Sequence, residues 1–273
     1  MISFPFHQKG LSLVELLISM LLGLILTAGA LQMMLASQEI YQATDTLSRI
    51  QENGRFALNF LAKDIRMAGH NTSENAQGKA FWDGACGATD PCTANGAAVG
   101  DSDQIGILMD PSNDLDCIGN ALGGEDTVIA NVYYVDDSPA DPLISSLYCR
   151  GFDLAANNWI SAGQPLVDGV ENMQILYGVT DPAANNTITN YISADAVHIL
   201  ANADPESWGE IGAVRISLLL NNGQARGNGN NQQHLFDLLD APTFDVTDQH
   251  NRQVFSTTIT INNIIYQSQD SNQ

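Results

Sequence analysis

One acidic side chain interrupts the apolar run from Gly10 to Ala36, GLSLVELLISMLLGLILTAGALQMMLA, and it is Glu15. A carboxylate in such a setting is costly unless it meets a cation or reaches an interface, so Glu15 is the first residue that calls for a chemical role. The second set is four cysteines, Cys86, Cys92, Cys117 and Cys149. None forms a CxxC and no histidine stands at zinc-ligand spacing from them, so two disulfides in an oxidising compartment are expected. Three pairings are open. Cys86 with Cys92, closing a short Gly- and Pro-containing loop, and Cys117 with Cys149, clamping the region around one hairpin, is the favoured one. A catalytic set is missing: there is no GxSxG, HExxH or P-loop, Gly227 and Gly229 lack the third glycine of a dinucleotide loop, and His70, His198, His234 and His250 are scattered. No enzyme activity and no cofactor are expected. Acidic clusters at Asp101 and Asp103, at Asp110, Asn113, Asp114 and Asp116, and at Asp245 and Asp248 offer oxygen ligands for calcium. None follows the EF-hand spacing, so they read as turn formers and no metal is assigned.

These residues need elements to carry them. From Leu16 through Gln38 no side chain ionises, and at about 1.5 Å per residue that gives roughly 34 Å of helix, enough for a bilayer core. The preceding MISFPFHQKG is too small for an ordinary secretory signal, and Lys9 and His7 are its only cations. Positive charge on the short side places the amino terminus in the cytoplasm and the long remainder outside. That remainder is acidic: 10 Lys and Arg stand against 31 Asp and Glu, a formal charge of -21, which excludes nucleic acid as a direct partner through phosphate contacts.

No proline intervenes from Ser37 to Ala68, and Ala57, Leu61, Ile65 and Ala68 line one helical face. Arg66 and Lys63 suit the negative end of the helix dipole, and Gly69 supplies a stop. Gly54 weakens this helix and marks a candidate bend. The expected organisation is a leader over 1–10, a membrane helix over 11–36, its amphipathic continuation over 37–69, and a β-rich globular domain over 70–273. Strands are expected at Gln104–Met109, Thr127–Val135, Ser146–Cys149, Val170–Tyr177, Ala213–Leu220 and Val254–Ile261. The fold class is therefore α+β, one antiparallel sheet with a face on the long helix. Asn71–Gly100 reads as a disulfide-held loop, Asn221–Gln233 as a mobile loop, and Gln267–Gln273 as a solvated tail. Phe81, Trp82, Trp159 and Trp208 read as plugs under loops in preference to anchors for a partner.

The junction Lys9, Gly10, Leu11, Ser12, Leu13, Val14, Glu15 resembles the class III signal of type IV prepilins. The resemblance implies cleavage by a prepilin peptidase between Gly10 and Leu11 and methylation of the new amino terminus on Leu11. The family commonly has phenylalanine at that first mature position, where this chain has leucine. An α-amine on Leu11 lies one helical turn from Glu15, so the two can pair within a subunit or between neighbours in a filament. The segment from Glu52 to Gly69, with PLVDGVENMQILYG (Pro165–Gly178), IGAVRISLL (Ile211–Leu219) and RQVFSTTITINN (Arg252–Asn263), resembles minor pilins of the PilW type. This implies a pilin-like fold and a role in assembly or initiation at the tip of a type IV pilus. Implied partners are other minor pilins, the major pilin, the prepilin peptidase and a tip adhesin, and the implied outputs are adhesion, twitching motility or DNA uptake. Two alternatives share the fold: a pseudopilin of type II secretion, and an adhesive binding module using the stretch Gly78–Asp126, which the resemblance leaves uncovered.

Overall fold

The computed structural model describes residues 12–70, 79–86, 91–96, 98, 100–111, 113–122, 127–137, 145–181, 186–203, 207–225 and 232–262. The expected leader, the Gly10–Leu11 junction, part of the Asn71–Gly100 loop and the tail lie outside them. Helix α1 (Leu13–Met67) runs unbroken for 55 residues and contributes to both compact units of the chain, Met1–Leu47 and Ser48–Gln273.

In the first unit every large apolar side chain from Leu13 to Leu35 is exposed. A helix apolar on all sides with nothing covering it belongs in lipid or among other helices. Two of its hydroxyls bond within the helix: Ser19 Oγ donates to the Glu15 carbonyl and Thr27 Oγ1 to the Gly23 carbonyl, both at 2.7 Å. That internal pairing is what a solvent without hydrogen bonds requires.

The second unit is built on two antiparallel sheets and a ribbon, where the sequence led us to expect one sheet. The first sheet runs β1 (Ile105–Met109), β2 (Ile129–Asp137), β3 (Ser145–Asp153), β4 (Asn158–Trp159), with β5 (Gln164–Asp168) also on β3. The second has β6 (Val170–Asp181), β7 (Thr187–Ile192), β8 (Ile211–Ala225) and β11 (His250–Thr260) in the order β11-β8-β6-β7, and β9 (Gln232–Phe236) pairs with β10 (Phe244–Asp248). All six expected strands are present. A short helix α2 (Ala194–Ala203) follows β7.

The division into two sheets turns on Gly169. It sits between β5 and β6 with φ at 85°, its amide donates to the Ser145 carbonyl of the first sheet, and its carbonyl accepts from the Asn221 amide of the second, both at 2.8 Å. A Cβ there would collide with the Asn221 carbonyl oxygen, so only glycine makes this corner. Central strand β8 is buried along both faces through ISLLL (Ile216–Leu220), the pattern of a strand with neighbours above and below.

One core unites these layers. Ile50, Ala57, Leu61 and Ile65 of α1 are fully buried against residues of both sheets. Phe81, Tyr177 and Trp208 pack edge to face, with ring centres 5.4 Å apart for the first pair and 5.2 Å for the second. Phe81 and Trp208 are thus core plugs, whereas Trp82 and Trp159 are half-buried. The cysteines pair Cys86 with Cys92 and Cys117 with Cys149, at Cα separations of 5.2 and 6.4 Å.

Candidate assembly site

Glu15 lies in the first turn of α1 and is exposed. Ser12 starts the helix, its carbonyl accepting from the Glu15 and Leu16 amides at 3.0 and 3.2 Å. An acid in the first turn also suits the positive end of the helix dipole. Among the described residues no side chain pairs with the Glu15 carboxylate.

The other end of α1 is seated within the second unit. Gly54 is buried, and the helix passes through it unbroken. Its reason is steric: a Cβ at Gly54 would lie 2.7 Å from the Phe255 ring of β11. The missing side chain lets helix and strand approach closely. Nearly three turns further on, Asp64 shares the buried face with Leu61 and Ile65. Its carboxylate accepts from Tyr133 Oη at 2.7 Å and from Asn131 Nδ2 at 3.0 Å. Burial pushes the Asp64 carboxyl up from its ordinary pKa, and those two hydrogen bonds pull it partly back. Asn131 Oδ1 in turn accepts from the Cys117 amide at 3.1 Å, so the helix, β2 and the disulfide-bearing loop share one polar network. Gly69 (φ 74°) ends the helix as expected, donating to the Leu108 carbonyl at 2.8 Å, while the Arg66 carbonyl accepts from Asn262 at 3.3 Å.

Sequence reasoning missed Asp64. Its signal was an acid in the middle of an apolar face, between Leu61 and Ile65. Arg252 was missed too: it is half-buried, and binds Glu171 (Nε at 2.5 Å) and Asp248 (Nη1 at 2.7 Å), tying β11 to β6. Hydrogen bonds from Arg252 hold the Asp248 carboxyl well below the usual carboxylate range.

The acidic clusters serve as loop formers. Asp116 accepts from the Ile118 and Asn120 amides, and Asp103 from Ile175 and Gly96 at 2.8 and 3.0 Å. Burial raises the Asp103 carboxyl to about 7 against those two bonds, and the carboxylates of Asp240 and Asp195 add to the rise. Among the described residues no group of three His, Cys, Asp or Glu is placed to hold a metal.

A long apolar amino-terminal helix continuing into the core of an antiparallel β domain is the arrangement of a type IV pilin-like protein. Residues 5–31 match the prokaryotic N-terminal methylation motif. Residues 132–263 match the type IV pilus-assembly protein W model, and the two matches together support a prepilin-like minor pilin of the PilW type. That class is structural and not catalytic. Among solved structures it is similar to a type IV-like pilin from Thermus thermophilus, with 14% identity, a TM-score of 0.46, and coverage of 79% of this chain and 98% of that one. No curated protein sequence matches it.

Proposed function

We propose that this minor pilin is inserted in the inner membrane with its amino terminus in the cytoplasm, cut between Gly10 and Leu11 by a prepilin peptidase, methylated on Leu11, and assembled at the tip of a type IV pilus, where it takes part in initiation. Other minor pilins, the major pilin and a tip adhesin are its partners. The observation that carries this reading is the exposed apolar helix that begins within a methylation-motif match and bears one acid in its first turn. In that reading the Leu11 amine of a docking subunit, or of its neighbour, neutralises Glu15. An unpaired charge in lipid is costly, so the pair favours one register over its neighbours.

The test separates processing from assembly. Gly10→Val is expected to accumulate an unmethylated precursor heavier by the leader, read by intact mass and amino-terminal sequencing from native membranes. Glu15→Ala is expected to be cut normally yet to be absent from sheared surface fibres. A Gly10→Val chain processed like the parent, or Glu15→Ala fibres of normal content, would overturn the reading.

A further inference from the structure

We infer that the cavity beside the Cys86–Cys92 loop binds a carboxylate-bearing sugar through Arg150. The cavity measures about 410 Å³, and its lining includes Pro91, Asn95, Gln104, Val132, Arg150 and Trp159. That volume suits a monosaccharide or a little more.

Charge singles the cavity out. In a chain with 31 acids and 10 Lys and Arg, the described residues of the cavity lining include no carboxylate, and Arg150 is the one charged residue among them. Arg150 is also uncommitted. Its guanidinium carbon lies 3.4 Å from the Trp159 ring centre and 5.1 Å from that of Tyr134. Its Nε is buried with no acceptor, and among the described residues no carboxylate pairs with it. Stacking uses the guanidinium face and leaves its edge donors for a planar, bidentate acceptor.

The remaining walls fit a sugar ring. Asn95 Oδ1 accepts from the Ala194 amide that opens α2, at 3.0 Å, which leaves Nδ2 to donate. Gln104 Nε2 donates to the Pro91 carbonyl at 2.5 Å, which leaves Oε1 to accept. Pro91, Val132 and the disulfide give an apolar side for the CH face of a pyranose. A carboxylate is planar like the guanidinium edge and accepts from two of its donors at once. The site lies wholly within the second unit, so its test does not depend on filament assembly.

The full chain, held in a sugar-free detergent at low salt, is titrated with sodium glucuronate and followed by tryptophan fluorescence and ligand-observed NMR. Glucose, acetate and inorganic phosphate are run in parallel. Saturable glucuronate binding is expected, at least tenfold tighter than for any of the three. Arg150→Gln is expected to weaken it at least tenfold, and Arg150→Lys, which keeps the charge and loses the fork, several-fold. Asn95→Asp keeps the Ala194 cap and puts a carboxylate into the lining; it is expected to weaken binding at least tenfold with an unchanged melting curve, which keeps the test valid if Arg150→Gln unfolds. No saturation by glucuronate, equal binding of acetate, tighter binding of phosphate, or unchanged affinity in Asn95→Asp would overturn the inference.

Discussion

Asp64 and Asp103 are both buried carboxylates, and they make different predictions. Asp64 is the acceptor for two buried donors, so Asp64→Ala orphans the Tyr133 hydroxyl and the Asn131 amide and is expected to cost about 2–4 kcal/mol, read from denaturant midpoints of the purified chain. Asp64→Asn keeps one acceptor and should cost less. Asp103 titrates where it can be followed. Its folded-state pKa of about 7 lies above its ordinary 3.8, so its contribution is fully present below pH 4 and is lost as pH rises through 7, on the order of 4 kcal/mol in all. The melting temperature should therefore fall between pH 4 and 7, and Asp103→Asn should flatten that slope whatever it does to the absolute value. An equal slope in the variant would exclude Asp103 as its source. Asp248 has the opposite sign: its lowered carboxyl stabilises above the ordinary carboxylate range and is lost only below it, so the two windows do not overlap. None of these partnerships was legible beforehand, because Tyr133 stands 69 positions from Asp64 and Ile175 72 from Asp103.

Among the elements, what could be read was whatever repeats locally. The face Ala57, Leu61, Ile65 gave the helix, Gly69 its end, and six apolar runs their strands. What escaped was β7, β9 and β10, whose alternation is largely polar because they bury little, and α2, which lies in a stretch matching no expected strand. The corner at Gly169 escaped as well, since its need for positive φ comes from carbonyl groups far along the chain. Gly54 shows the same limit: propensity suggested a bend, whereas the Phe255 ring explains the glycine. Gly54→Ala should gain up to about 1 kcal/mol of helix propensity but lose about 1–3 to the clash. A net fall in stability is expected, and Phe255→Leu in the same chain should recover much of it. A strictly additive double-mutant cycle would show that the two residues do not touch.

For the whole molecule the two disulfides fall on one side of the ledger of order. Cys117 and Cys149 close a loop of sequence separation 32 around the β2–β3 hairpin, which constrains the unfolded chain by about 3–4 kcal/mol. Cys149→Ser is expected to lower stability by that amount and to reduce the quantity of protein recovered from membranes. The Cys86–Cys92 loop, of separation 6, should matter less for global stability and more for the walls of the Arg150 cavity. The resemblance to PilW-type pilins was readable at both ends of the chain, in the leader junction and in the later strands. The cavity was not, because Arg150 and Trp159 come together only across the β3–β4 pairing.

The way the lower half of α1 is held has a mechanical consequence. Ile50, Ala57, Leu61 and Ile65 are keyed into the sheets along one line, with Asp64 pinned among them and the helix end tied to Leu108 and Asn262. A pull along the helix axis loads all of these contacts in parallel, so they must fail together. A sideways pull would open them one after another, like tape lifted from its edge. A domain pulled through this helix is thus held more strongly along the helix axis than across it.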